Sequence, residues 1–305
     1  MASGAISRRQ LLRWSALGGV VVLGGGVALF ELVDHSVLPG HQQLVTLLGD
    51  CEVSVPSMSF SPLGPSESGT FFSRARNQTV GYTIAYPPGH VRGDALPLIV
   101  VLHAFGANHT NALSGMSLAQ ALALRADGQP LAPMAMVAAD GGGGYWNPHP
   151  GDNPMAMVVD ELIPICQGRG LGQLPQKIGT MGISMGGYGA VLLAEKVPEM
   201  VSAVAAISPA IWTSYPEARA ANAGAYASAQ DFVSNDAVTH AGALAGIPLR
   251  IASGEEDPFH AGVEALARAL PAGATVHFSK GCHTPSFFTA QEPPSLAFLA
   301  AHLSE

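Results

Sequence analysis

The stretch Lys177-Ile178-Gly179-Thr180-Met181-Gly182-Ile183-Ser184-Met185-Gly186-Gly187-Tyr188-Gly189-Ala190-Val191-Leu192-Leu193 changes character at its middle. Residues 178–181 are short and apolar, as a buried strand is, and residues 186–195 carry a helical pattern. Between them stands Gly182-Ile183-Ser184-Met185-Gly186, a Gly-x-Ser-x-Gly on a strand-to-helix turn. A serine at the tip of such an elbow has a strained backbone, so the residues two places to either side must be nearly without side chains. Gly182 and Gly186 meet that need. The turn also aims the positive end of the helix at any oxyanion formed beside the serine. The motif alone is weak: with 36 glycines in 305 residues, chance supplies roughly 0.3 matches. Its weight comes from what surrounds it.

On the N-terminal side, Thr70–Ala75 and Val80–Tyr86 alternate about Asn77-Gln78, which predicts an antiparallel hairpin ended by Pro87-Pro88-Gly89. Apolar runs bounded by Gly or Pro follow at Leu98–Leu102, Met134–Ala139, Ile178–Met181, Val201–Ile207, Leu249–Ala252 and Thr275–Phe278. Parallel strands buried on both faces read this way. Helical patterns separate them at Ser117–Arg125, Pro154–Cys166, Gly186–Glu195, Glu217–Gln230, Ala261–Leu270 and Pro294–Leu303. Such alternation predicts an α/β domain over residues 69–305: a doubly wound, mostly parallel sheet with the N-terminal hairpin antiparallel. Residues 211–246 are longer than a simple crossover and read either as a cap over a pocket or as ordinary surface helix.

A serine hydroxyl needs a base to take its proton, and that imidazole needs a carboxylate to fix its tautomer. In this architecture the order is Ser, acid, His. The strand Leu249–Ala252 runs into Ser253-Gly254-Glu255-Glu256-Asp257-Pro258-Phe259, and the next strand into Ser279-Lys280-Gly281-Cys282-His283-Thr284. Both loops lie at carboxyl ends of strands, the edge that also holds Ser184 and where open α/β sheets bind ligands. His283 is the candidate base, since His277 and His302 fall inside elements and His35 and His41 in a linker. Asp257 is the candidate acid, with its neighbours Glu255 and Glu256 as alternatives. The oxyanion would be met by backbone N–H groups of Met185 and of the loop His103-Ala104-Phe105-Gly106, Phe105 first and Ala104 as fallback. His103 reads as a loop-orienting residue.

These features together resemble the putative-esterase branch of the α/β-hydrolase superfamily, which includes esterase D, feruloyl esterases and the antigen 85 mycolyltransferases. The resemblance spans roughly residues 69–303. It rests on Tyr86-Pro87-Pro88-Gly89, Leu102-His103-Ala104-Phe105-Gly106, Asp140-Gly141-Gly142, the Ser184 elbow, Gly254-x-x-Asp257-x-Phe259, and His283 followed by Phe287 and Phe288. It implies an α/β-hydrolase fold with Ser184, Asp257 and His283 catalytic, Phe105 and Met185 as oxyanion donors, and Asp140 and the glycines on the substrate side. Ala104 stands where the family commonly has glycine. The stretch Gly141-Gly142-Gly143-Gly144-Tyr145-Trp146-Asn147 reads either as a flexible turn or as a substrate-contacting loop using Gly141, Tyr145 and Trp146.

Composition limits the partners. With 48% apolar residues the chain can bury a full core, and a net charge of −8 with three lysines offers no basic face for nucleic acid. The glycine run lacks the Gly-Lys-Ser/Thr of a phosphate loop, and no ligand spacing surrounds His149, so neither cofactor nor metal is expected. Mean hydropathy is +0.28, and much of that excess sits at the amino end. Ser7-Arg8-Arg9-Gln10-Leu11-Leu12-Arg13 precedes an uncharged run from Trp14 to Phe30, which resembles a twin-arginine export signal over residues 1–33. Cleaved signal and retained membrane anchor both fit, since Gly26-Val27-Ala28 is a weak cleavage site and the run just spans a bilayer. Either would put the rest of the chain outside the cytoplasm. Residues 34–68 read as a linker and edge segment. Cys51, Cys166 and Cys282 allow one disulfide of unreadable pairing, with Cys166 in an apolar stretch. Three functions fit: ester hydrolysis, acyl transfer to a sugar or glycerolipid, and non-catalytic binding outside the cell. The oligomeric state is not legible.

Overall fold

A computed structural model describes residues 51–55, 64–114, 125–126 and 129–303. The export segment and residues 117–124 of the first predicted helix lie outside these. Eight strands form the main sheet: β1 (Ser66–Ser73), β2 (Gln78–Ala85), β3 (Leu98–Leu102), β4 (Ala135–Ala139), β5 (Ile178–Ile183), β6 (Val201–Ile207), β7 (Leu249–Gly254) and β8 (Thr275–Ser279). Their order is β1-β2-β4-β3-β5-β6-β7-β8. The first two strands are an antiparallel hairpin that pairs antiparallel with β4, and every later pair is parallel. This is the mostly parallel α/β sheet the sequence predicts.

The helices are α1 (His109–Ser114), α2 (Pro154–Ala156, a π-helical Met157–Leu162, and Ile163–Gln167), α3 (Met185–Lys196), α4 (Tyr215–Ala221), α5 (Ala229–Ser234), α6 (Ala237–His240), α7 (His260–Ala269) and α8 (Pro285–Leu303). Strand β3 shows why its run is apolar throughout. Leu98, Val100 and Leu102 pack into the core beneath α2, α3 and α7, while Ile99 and Val101 pack into the opposite core with α1 and α8. With both faces covered, alternate residues have no reason to be polar. Central α3 is buried from Met185 to Glu195, so it too lacks an amphipathic stripe.

Three expectations change. The helix predicted over Glu217–Gln230 is two helices, because Asn222 ends α4 and turns the chain onto Gly224, and Ser228 caps α5 by accepting from Asp231 N–H. The last helix starts at Pro285 rather than Pro294 and runs through Pro293 and Pro294. Burial of Phe287, Leu296, Leu299 and Leu303 against the sheet outweighs the two lost N–H donors. Residues 51–55, expected in the linker, are joined to the domain by a Cys51–Cys282 disulfide.

Two buried carboxyls act against stability. Glu292 on α8 is 1% exposed and neither side-chain oxygen has a partner among the described residues; burial pushes its pKa up to about 8. Glu195 on α3 is similar, pushed up to about 9 by burial. Because the unfolded carboxyl ionises near pH 4.5, each costs stability as pH rises from there toward its folded value, and the cost then levels off. Glu292→Gln is therefore expected to stabilise the protein by up to about 4 kcal/mol at pH 7.5, with the gain vanishing near pH 4.5. Urea unfolding at the two pH values checks this; a gain independent of pH would refute it.

Candidate active site

The elbow is built as its glycines require. Ser184 has φ 58° and ψ −122°, a left-handed conformation that costs energy for any residue with a Cβ. The surrounding backbone holds it there: its N–H donates to Ile207 O at 3.0 Å, and its own carbonyl accepts from Tyr188 and Ala210 N–H, each at 3.0 Å. A Cβ on Gly182 would stand 2.2 Å from Gly186 O, and one on Gly186 would stand 1.8 Å from Leu102 O. No side chain fits at either position.

The loops after β7 and β8 meet this serine. His283 Nε2 lies 2.8 Å from Ser184 Oγ, and His283 Nδ1 lies 2.9 Å from Asp257 Oδ2. The Asp257 side chain is fully shielded from solvent, and its other oxygen accepts from Phe259 N–H at 2.9 Å. Of the three neighbouring acids, Glu255 is exposed and Glu256 half-buried, while buried Asp257 contacts the imidazole. The two loops are laced together by Glu255 N–H to Ser279 O at 2.9 Å and Glu256 N–H to Gly281 O at 3.0 Å. Phe259 and Phe288 flank the His283 ring edge-on, at centroid distances of 5.2 and 4.9 Å. Trp212 meets Phe259 edge-on at 4.7 Å. This aromatic frame was not readable as such; Phe259, Phe287 and Phe288 belonged to motifs, but Trp212 sits in the cap segment with nothing local to mark it.

The loop after β3 is fixed by His103. Its Nδ1–H donates to Ala104 O at 2.8 Å and its Nε2 accepts from Gly141 N–H at 2.9 Å. Burial lowers its pKa, which keeps the ring neutral and able to do both. Among the described residues, neither Phe105 N–H nor Met185 N–H donates to another group, so both remain free for an anion. The Phe105 side chain is 61% exposed beside Gly143.

The glycine-rich loop corrects part of the sequence reading. Trp146, expected to touch substrate, is wholly buried; its indole N–H donates to His103 O at 3.2 Å, and it supports the loop from below. Gly141 is buried too, and a Cβ there would lie 2.3 Å from the Trp146 ring. Tyr145 is 5% exposed in a cluster with Tyr188, Trp212 and Tyr226, and its hydroxyl pKa is pushed up to about 12 by burial. Asp140 accepts from His109 N–H at 2.9 Å and Gly81 N–H at 3.2 Å, so its carboxylate ties α1 to the hairpin rather than standing free. Three of these four residues are buried, and the carboxylate of the fourth, Asp140, is bonded to the scaffold. The segment 211–246 is tied to this loop and to α3 by Asn147 side-chain N–H to Ala225 O at 3.0 Å and by the Tyr188 hydroxyl to Asn235 O at 2.5 Å. The described residues contain no group of three or more His, Cys, Asp or Glu that could hold a metal.

The sequence profile of the family described as putative esterase matches residues 73–267. The chain belongs to the putative-esterase family. The match takes in Ser184 and Asp257 and stops before His283, which the fold alone brings to the serine. Among solved structures, a ferulic acid esterase superposes with a TM-score of 0.66 at 19% identity, over 78% of this chain and 98% of that one. An S-formylglutathione hydrolase from Agrobacterium tumefaciens gives 0.64 at 18% identity, over 82% and 100%. The fluorophosphonate-binding serine hydrolase F of Staphylococcus aureus gives 0.62 at 14%, over 78% and 99%. At these identities the likeness is one of fold. A search of curated protein sequences finds no match. This putative esterase thus has the α/β-hydrolase architecture, with a serine, a histidine and an aspartate in one hydrogen-bonded row.

Proposed function

We propose that this putative esterase is a serine carboxylesterase that works through an acyl-enzyme on Ser184. The observation that carries the reading is the continuous row Asp257 Oδ2, His283 Nδ1, His283 Nε2, Ser184 Oγ, with contacts of 2.9 and 2.8 Å. Ser184 Oγ attacks the ester carbonyl while His283 Nε2 takes its proton. Asp257 stabilises the resulting imidazolium at Nδ1. Phe105 and Met185 N–H receive the tetrahedral oxyanion at the positive end of α3. Collapse expels the alcohol, protonated by His283, and leaves the acyl group on Ser184. Water, deprotonated by His283, then attacks the acyl carbonyl, and His283 returns that proton to Ser184 Oγ as the acyl bond breaks and the acid leaves. The first proton, from Ser184 Oγ to His283 Nε2, moves between atoms already 2.8 Å apart.

A serine-directed fluorophosphonate tests this directly. Attack by Ser184 Oγ expels fluoride and leaves a phosphonyl group on the peptide containing Ser184, read by mass. No label on that peptide, or label on another serine, would refute the assignment. Product analysis with a short acyl donor, with and without trehalose or a glycerolipid alcohol, reads out whether water or an alcohol takes the acyl group.

The proposal also places the enzyme outside the cytoplasm. The twin-arginine segment supports this, and so does the Cys51–Cys282 disulfide, since such bonds persist in oxidising surroundings. Among the described residues no helix is long and apolar enough to cross a membrane.

A further inference from the structure

The base at the centre of the proposed reaction has no secondary structure of its own to hold it. His283 lies in the short loop 280–284 between edge strand β8 and the start of α8. Its ring must satisfy two contacts at once, to Ser184 and to Asp257. On one side the loop is laced to the Asp257 loop through Gly281 O. On the other side lies the arm 51–55. A Cβ on Gly281, whose φ is 147°, would stand 3.1 Å from Val53 Cγ2 and 2.4 Å from the Phe287 ring. Cys51 then bonds covalently to Cys282, the residue directly before His283, across 231 residues of sequence. Cys282 is wholly buried and Cys51 is 8% exposed. Strands and helices hold Ser184, but the histidine is held by a pinch between the acid loop and this disulfide-bonded arm.

We propose that Cys51 and Cys282 are positioning residues for the reaction: their disulfide holds the His283 loop at the spacing that lets one imidazole reach both partners. This rests on the esterase reading above. Catalytic geometry is steep in distance, and a misplacement of about 1 Å costs on the order of 100-fold in rate. Cutting the bond frees the arm and relaxes the Cys282 backbone one residue from the ring. Both cysteines are buried and offer no surface to a substrate, so the loss falls on kcat rather than KM. Reduction by a dithiol transfers two electrons and two protons to the bond, giving Cys51–SH and Cys282–SH, while the dithiol closes to its own disulfide. The enzyme is therefore active in its oxidised form and weak in its reduced one.

The full chain, oxidised, is first assayed on a short p-nitrophenyl ester; absence of activity there overturns the esterase reading itself and is seen before any cysteine is changed. Given activity, dithiothreitol is expected to lower kcat by about 10- to 100-fold with KM changed less than threefold. Cys51→Ser/Cys282→Ser should show the same low kcat and no further response to dithiothreitol. Reoxidation should restore the wild type only. Near-UV circular dichroism, reporting the buried Trp146 and tyrosine cluster, should stay native in the reduced protein. If reduced enzyme and double variant keep kcat within twofold of the oxidised enzyme, the disulfide does not position His283. If activity and the near-UV signal are lost together, the bond holds the whole fold and the positioning role is likewise overturned.

Discussion

Ser184→Ala is expected to lower kcat on a short p-nitrophenyl ester by about 10⁴-fold or more, with KM little changed and the fold intact. The substitution removes the atom proposed to carry the acyl group and, of the His283 contacts in this row, leaves the one to Asp257. What remains is the free Phe105 and Met185 N–H pair and the binding surface, which in triad enzymes still accelerate hydrolysis over water. A small residual rate without a burst of product release is thus part of the expected result. A variant that keeps more than about a hundredth of wild-type kcat would remove Ser184 from the nucleophile's role. Stability should be equal or slightly reduced, because alanine sits at φ 58° no more easily than serine does.

Asp257→Asn is expected to cost nearly as much, about 10⁴-fold in kcat, by a different route. Asp257 Oδ2 accepts the His283 Nδ1 proton, which leaves Nε2 bare to take the proton of Ser184. An asparagine can turn its amide N–H toward Nδ1, which then accepts; the ring proton moves to Nε2 and the base is lost. Space is unchanged, so the variant should fold normally and still bind substrate. Because Oδ1 accepts the Phe259 N–H, the amide oxygen has a ready partner on that side, which favours the turned orientation. Near-normal turnover would transfer the acid's role to Glu256 or Glu255.

Most of the scaffold was legible because its signals are local. The apolar runs of β3 through β7 and the glycines of the elbow declare themselves within six residues, and Ser184, Asp257 and His283 are singled out by their place after β5, β7 and β8. What stayed hidden is set by distance. The Cys51–Cys282 pairing joins residues 231 apart, and no spacing rule connects them. Trp146 looked like a substrate contact because an aromatic after four glycines reads as an exposed loop. The space it fills is made by Gly141 and Gly189, where a Cβ would come within 2.3 and 2.6 Å of its ring, and Gly189 lies on another element. The break between α4 and α5 was visible in Asn222 and Gly224 but weaker than the surrounding run of alanines.

Gly186 has a second duty. Besides allowing the turn at Ser184, it lets the start of α3 rest directly on the end of β3, where a single methyl would overlap Leu102 O at 1.8 Å and press on His103 O at 2.8 Å. Met185 N–H rides on the first of these segments and Phe105 N–H on the continuation of the second. If these two N–H groups receive the oxyanion as proposed, the bare glycine works as a gauge block of zero thickness between them, setting how far apart they stand before any substrate arrives.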